Sequence, residues 1–344
     1  MTSTFLITGA SGFVGSHVTK AARADPGVRL RLLTHRRPAA AAPDPGAATA
    51  EETIRRDLTT ADSLHGICDG VDAVIHCATH IGGDDRTAEA VNDRGTRALV
   101  AEAARCSVPV VQVSTAAVYG RGPFRAASPG TLPLAPISVT SRTRAAGERH
   151  VLDAGGVVLR PHLVYGTGDR WLVGGLVALL RHLSATLTGC DSLHSMIDAD
   201  TLGRAALAAA HGARGLAGVH HLNHPEPVAG SDILAALGRY AGEAVASRTV
   251  DLATARELVA GDTRALHHLQ LLAVDHWFAE DGLWERLGCD PGAGFGASFP
   301  LHDGWYGGRS RTVSWPSAPP PSPTARAPWA PPPVSARTPV RTPP

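Results

Sequence analysis

The sequence predicts an α/β fold, a doubly wound parallel sheet with helices on both faces and a smaller, interrupted C-terminal lobe. Three observations carry this. Short apolar runs alternate with helical stretches from the first residues, a glycine-rich turn joins the first run to the first helix, and the alternation breaks after Gly166. Apolar runs bounded by turn residues suit strands buried on both faces, and their alternation with helices suits parallel pairing.

The predicted strands are Thr4–Thr8, Val28–Thr34, Val71–Cys77, Val108–Ser114 and Val157–Arg160. Between them, Gly15–Ala24, Thr87–Cys106 and Arg142–Ala154 are long enough for crossover helices, while Pro38–Ala50, rich in Ala, Pro and Gly, reads as a loop. Beyond Gly166, Trp171–Leu183, Ser231–Gly242 and Asp275–Leu287 read as helices. Leu193–Ile197 and Gly218–Asn223 read as strands, with Asp200–Ala210 a helix between them. Residues 1–166 are therefore expected to form a nucleotide-type domain, to which 191–222 return, with 167–190 and 223–308 forming a lobe over its cleft. The stretch 167–190 is also a candidate lid, which would help to exclude water. From 309 to 344 proline crowds the sequence and core-forming residues vanish, which predicts a disordered or polyproline-like tail.

Composition excludes several function classes. A net charge of +1 over 344 residues offers no polyanion-binding face and argues against nucleic acid as a partner. The five cysteines are odd in number and scattered, which fits a reducing cytoplasm better than a disulfide framework. None of the 17 histidines falls in an HExxH arrangement, so no metal site is expected from spacing. The longest apolar stretch, Trp171 to Leu180, is too short to span a bilayer, and the chain opens on a strand-like run with no leader peptide ahead of it. The oligomeric state stays open.

Thr8-Gly9-Ala10-Ser11-Gly12-Phe13-Val14-Gly15 lies between the first strand and the first helix. Glycine spacing of this kind permits a tight turn, close approach to a pyrophosphate and close helix–strand packing, and the helix N-terminus offers amide hydrogens to phosphate. This predicts a Rossmann-type dinucleotide site with Gly9, Ser11, Gly12, Phe13 and Val14 as contacts. At the end of the second strand, where an acidic residue would bind the adenosine ribose, the chain has Thr34-His35-Arg36-Arg37. A guanidinium pairs with a 2′-phosphate, so His35 and Arg36 favour NADPH, with use of NADH left open. The alternative is that these are solvent-facing arginines in an arginine-rich chain.

Further motifs follow in order: Arg56-Asp57-Leu58, His76-Cys77-Ala78, Val91-Asn92 with Gly95-Thr96, Ser114-Thr115-Ala116-Ala117-Val118-Tyr119-Gly120, Leu159-Arg160-Pro161-His162-Leu163-Val164-Tyr165-Gly166, and Met196-Ile197-Asp198. With this set, residues 3–305 resemble the extended short-chain dehydrogenase/reductases of the NAD-dependent epimerase/dehydratase group. The resemblance implies that Asp57 and Leu58 meet the adenine, and that Cys77, Ala78 and Thr79 pass under the ribose and pyrophosphate. It also implies cofactor contacts at Ser114 and at Pro161 to Val164, and gives Thr115 the catalytic Ser/Thr position, where its hydroxyl would stabilise a developing alkoxide.

The chain departs from that family at its proton donor. Members carry Tyr-x-x-x-Lys and a glutamate four residues on. Counting back from Glu148 places Arg144 at the lysine and Thr140 at the tyrosine. Lys20 is the single lysine, and none of the four tyrosines has a basic residue four positions later. Arg144 can still hold the nicotinamide ribose, but an aliphatic hydroxyl at Thr140 is far too weak an acid. Dehydratases of the group carry Asp-Glu where this chain has Ala116 and Ala117, and epimerases need a base that is missing here. Ketone reduction survives, because it needs only a hydride donor and some source of a proton. His80, His162 and His194 are candidates by chemistry. Water, or a phenol beside the ketone of an aromatic polyketide, would serve instead. The chain is similar in this respect to atypical ketoreductases of actinobacterial antibiotic pathways, which implies a flat, hydrophobic aromatic ketone as substrate. The rival expectation is a silent NADP(H)-binding regulatory or structural protein.

Overall fold

The computed structural model describes residues 2–40, 50–242, 245 and 247–309. The expected proline-rich tail beyond 309 and most of the Pro38–Ala50 loop lie outside the described residues.

Walking along the chain, β1 (Ser3–Thr8) leads through the glycine turn into α1 (Phe13–Arg23), followed by β2 (Val28–Thr34), β3 (Glu51–Arg55), β4 (Ala73–His76) and α2 (Asp85–Ala88). A π-helical turn, Glu89–Gly95, runs into α3 (Thr96–Arg105), then β5 (Val110–Val113), β6 (Phe124–Ala127), α4 (Val139–Asp153), β7 (Val157–Arg160) and β8 (Leu163–Tyr165). Next come α5 (Leu172–Leu183), β9 (Thr186–Thr188), β10 (Leu193–His194), β11 (Met196–Asp198), α6 (Ala199–His211), β12 (Gly218–His221), β13 (Val228–Ala229) and α7 (Gly230–Ala241). The remaining strands are β14 (Thr249–Asp251) and β15 (His276–Phe278).

The main sheet has seven parallel strands in the order β12-β7-β5-β4-β1-β2-β3. The order reverses direction beside β1, where a doubly wound sheet opens its ligand crevice at the strand C-termini. Both faces are covered. Phe5, Ile7, Leu30, Leu32, Val111 and Leu159 pack with α1 and α6 on one side, and Leu6, Val74, Val110 and Val158 pack with α3 on the other. Close packing of α1 on α6 depends on Gly203, since a Cβ there would lie 2.6 Å from the His17 backbone. A second sheet, β13-β10-β15-β6, and the pairs β8·β11 and β9·β14 combine strands from before and after Gly166, β6 and β8 coming from before it.

Four differences from expectation bear on the cleft and the small sheet. Asp275–Leu287 is not a helix: it is β15, a turn and a short helix, Leu283–Leu287. Gly282 takes φ +75°, and the Glu280 carboxylate accepts the amide hydrogens of Gly282 and Trp284, so a new helix starts there. Phe278 instead stacks on Tyr119, which favours the extended backbone. Thr87–Cys106 is interrupted by the π turn at Glu89–Gly95, a feature often found at functional sites. Leu193–Ile197 divides at Ser195, whose hydroxyl takes the Phe278 amide hydrogen, and its halves join different sheets. The exposed, charged edge strand β3 has little apolar signal and was not expected. No helix among the described residues is long and apolar enough to cross a membrane.

Candidate active site and cofactor cleft

The turn after β1 is shaped by two glycines. Gly9 has φ +70°, and a Cβ there would lie 2.6 Å from Ala78 N and 2.7 Å from Ala78 Cα. At Gly15 a Cβ would come within 2.1 Å of the Gly9 carbonyl oxygen. The Gly12 amide donates to that same oxygen at 2.8 Å, and Gly12 caps α1 without a side chain, leaving the first-turn amides free of side-chain capping. The expected contacts Gly9, Ser11, Gly12, Phe13 and Val14 thus lie on one tight turn against Ala78. A backbone cradle that any side chain would fill fits a pyrophosphate.

His76 ties this turn to the sheet. Its Nδ1 meets Thr8 Oγ1 at 2.7 Å, and its Nε2 meets Thr96 Oγ1 at 3.0 Å. Thr96 spends its own hydrogen on the Asn92 carbonyl, so His76 donates through Nε2 and accepts from Thr8. Burial, with Arg144 adding to it, pulls its pKa down to about 4. Asn92, within the π turn, is wholly satisfied: its oxygen accepts from His80 N and Thr79 Oγ1, and its amide donates to His80 O and Thr143 Oγ1. It therefore fixes the Thr79–His80 loop at the crevice. The motif contained Asn92, but nothing in the sequence linked it to residues 79–80.

At the adenine end, His35 and Asp57 form an ion pair at 3.3 Å, and Asp57 also accepts from Thr59 N and Oγ1. Burial alone would raise the Asp57 pKa, but the Thr59 bonds and the charges of His35 and Arg36 bring it below its usual value. Leu58 is buried against Gly95. Arg36 is exposed, and β3 adds an unexpected cation, because Arg55 pairs beside Thr34 and donates to the His35 carbonyl at 2.9 Å.

Ala78, Thr79, Asn92, Thr96, Gln112, Val113 and Arg144 line a tight recess next to Cys77. Burial raises the Cys77 thiol to about 12, so it stays protonated. Gln112 Oε1 and Ser114 Oγ are buried here without a partner among the described residues, an arrangement that a polar ligand would satisfy. Arg144 donates to the Val113 carbonyl at 2.9 Å, and burial lowers it only to about 10, so it remains a cation. Thr140 accepts the Gly82 amide hydrogen at 3.4 Å. Glu148, one turn beyond Arg144, forms a buried ion pair with Arg160. Arg160 Nη1 also donates to Tyr119 Oη at 2.8 Å, and that hydroxyl shares a hydrogen bond with His221 Nε2 at 2.8 Å. Burial raises the Tyr119 pKa, and its buried hydroxyl is held between Arg160 and His221, so it does not replace the missing phenol.

Thr115 caps the short turn Ala116–Tyr119, accepting the Ala117 amide hydrogen at 3.2 Å, which leaves its own hydrogen free of that bond. Ala116 N donates to the Pro161 carbonyl at 2.8 Å, so Thr115 and Pro161–Val164 lie on neighbouring backbones. Of the three candidate proton donors, His80 stands apart on the Asn92-bound loop, while His162 and His194 are drawn together by His276. Burial, and the neighbouring imidazoles, push both well below the ordinary histidine value, His194 to about 4. They are neutral at physiological pH and poor sources of a proton.

Residues 5–216 match the NAD dependent epimerase/dehydratase family. Over 133 residues the chain is 32% identical to the decarboxylating sterol-4-alpha-carboxylate 3-dehydrogenase of Saccharomyces cerevisiae, covering 35% of this chain and 38% of that protein. It is 34% identical over 175 residues to ceramide reductase of Caulobacter vibrioides, covering 49% and 48%. The chain thus spans less than half the length of these curated relatives. Among solved structures, UDP-glucuronic acid 4-epimerase from Bacillus cereus in complex with NAD superposes with a TM-score of 0.67 at 17% identity, covering 91% of this chain and 99% of that one. WbmG of Bordetella bronchiseptica in complex with NAD gives 0.67 at 19%, covering 90% and 96%. These likenesses show the shared fold.

Proposed function

The chain belongs to the NAD dependent epimerase/dehydratase family, and on that premise we propose that it is an NADPH-dependent ketoreductase acting on a ketone of an aromatic, angucyclinone-like polyketide in antibiotic biosynthesis. The reading sets it beside the angucyclinone ketoreductase of the simocyclinone pathway. Residues 167–190 and 223–308 form the substrate lobe in this reading, and the use of NADH stays open.

The observation that carries the proposal is the pair Thr140 and Arg144. Thr140 offers only an aliphatic hydroxyl, and Arg144 stays a cation, which can accept no proton. A reaction that must remove a hydroxyl proton lacks its base, whereas delivery of hydride to a ketone does not need one. The curated relatives support a reductase or dehydrogenase, and their names cite a sterol carboxylate and a ceramide where the structural neighbour cites a sugar nucleotide.

When bound, the nicotinamide dinucleotide supplies the hydride. The chain's part is to hold it and to orient the ketone. The Gly9–Val14 turn takes the phosphates, Arg36 and His35 the adenosine end, and Ser114, Arg144, Pro161 and Val164 the nicotinamide half. Thr115 donates its free hydrogen to the ketone oxygen and stabilises the growing negative charge. The proton then comes from a phenol beside the ketone, or from water. Replacing Thr115 with Ala tests the assignment: turnover falls by about a hundredfold with NADPH affinity unchanged. An unchanged rate would remove Thr115 from the chemistry.

A further inference from the structure

His162, His194 and His276 are 32 or more residues apart from one another and belong to three segments, yet each brings a ring nitrogen within 4.8 Å of the other two. His194 on β10 is directly paired with His276 on β15, and His162, just after β7, lies against His276 with ring centroids 5.3 Å apart. Two of the three offer an unpartnered nitrogen, and hydrogen bonds fix the tautomers of His194 and His276. Ser192 Oγ donates its hydrogen to the Leu272 carbonyl at 2.6 Å, so at 2.9 Å it accepts from His194 Nε2, and His194 Nδ1 is left as a lone pair. That nitrogen is buried and unpartnered among the described residues, in a side chain with 0% exposure, and His162 Nε2 is buried and unpartnered as well. His276 Nδ1 donates to the Val274 carbonyl at 3.0 Å, so its Nε2 carries the lone pair; that lone pair accepts the Gly122 amide hydrogen at 3.1 Å and would exchange this bond for the ion.

We propose that His162, His194 and His276 form a binding site for a borderline divalent transition-metal ion, with zinc the expected occupant. Three neutral imidazoles without a carboxylate select such an ion over calcium or magnesium. In two of the three, the far ring nitrogen already donates to a hydroxyl or a carbonyl, the outer bond that fixes the tautomer of a ligating histidine. Tetrahedral zinc with bonds of about 2.0–2.1 Å would need nitrogens about 3.4 Å apart, so the three rings close by about 1 Å or somewhat more on binding. The nearest carboxylate in sequence, Asp275, is occupied by Leu193 N and Arg125 and adds no ligand. The ion would clamp β10 and β15 of the small sheet to the segment following β7. The sequence set metal aside on spacing alone, and spacing is blind to ligands assembled from separate segments.

The test uses the full chain, stripped with chelator and dialysed against Zn2+ or Co2+. One equivalent of metal by elemental analysis is expected, with the visible bands of Co2+ in a low-symmetry nitrogen site. Replacing His162 or His276 with Gln should weaken binding by more than about a hundredfold, whereas His267→Gln, a control on the helix Thr263–Ala273 outside the trio, should leave it unchanged. The proposal is overturned if the native chain takes up less than a stoichiometric amount, or if H162Q and H276Q bind as tightly as the native chain. The first result is read on unsubstituted protein, so a variant that fails to fold does not shield the proposal.

Discussion

Gly9→Ala is the sharpest single perturbation of the cleft. The added methyl runs into the Cys77–Ala78 peptide, at 2.6 Å from Ala78 N, 2.7 Å from Ala78 Cα and 2.8 Å from Cys77 C. The closest of these is about 0.8 Å short of ordinary van der Waals contact, and no flexible side chain can give way. At φ +70° an L-residue adds about 1–2 kcal/mol, and overpacking of this kind adds about 1–3 kcal/mol. We expect a loss of about 2–5 kcal/mol in urea unfolding, together with a displaced Cys77–Thr79 loop and loss of NADPH binding in a fluorescence titration. Gly12→Ala separates the two effects. There φ is −85°, and the new Cβ meets only the Gly9 carbonyl oxygen, at 3.1 Å. Its stability should change by about 1 kcal/mol or less, while NADPH affinity falls because the methyl stands on the face offered to phosphate. Native NADPH affinity in both variants would refute this account of the turn.

Two further outcomes follow from the buried polar groups. Glu148→Gln leaves Arg160, 5% exposed, without its carboxylate, and should cost about 3–5 kcal/mol in urea unfolding; a change below about 1 kcal/mol would show that Tyr119 alone can hold the guanidinium. His76 has a folded pKa near 4, below its ordinary 6.5, so the unfolded chain binds the extra proton first as the pH falls. Its contribution is complete above about pH 6.5 and is lost toward pH 4, about 2 kcal/mol of it by pH 5. Comparing urea unfolding at these pH values, native protein should lose about that much more than His76→Asn, and equal losses would contradict the assignment.

The parallel sheet was legible because its strands are buried on both faces and read as apolar runs, and the glycine turn because its spacing is local. Elements fixed by tertiary contacts were not legible. β15 is a strand because Phe278 stacks on Tyr119, a contact 159 residues away that helical periodicity cannot register. Arg55 was missed because β3 is an exposed charged strand whose register beside β2 only the fold supplies. The departure at Thr140 and Arg144 could be read from residue types alone, whereas the occupation of Tyr119 by Arg160 and His221 required coordinates. The histidine trio is the extreme case, since no ligand spacing exists along the chain to detect.

The central claim is hydride delivery to a ketone without a tyrosine acid, and deuteride transfer tests it most directly. NADPH and NADH deuterated at C4 are offered with aromatic polyketides that do or do not carry a hydroxyl beside the carbonyl, and with a sugar nucleotide, and the products are weighed by mass spectrometry. The account predicts label in the hydroxylated polyketides, favoured from NADPH. Label in the sugar nucleotide, or no label in any product while NADPH is bound, would contradict it.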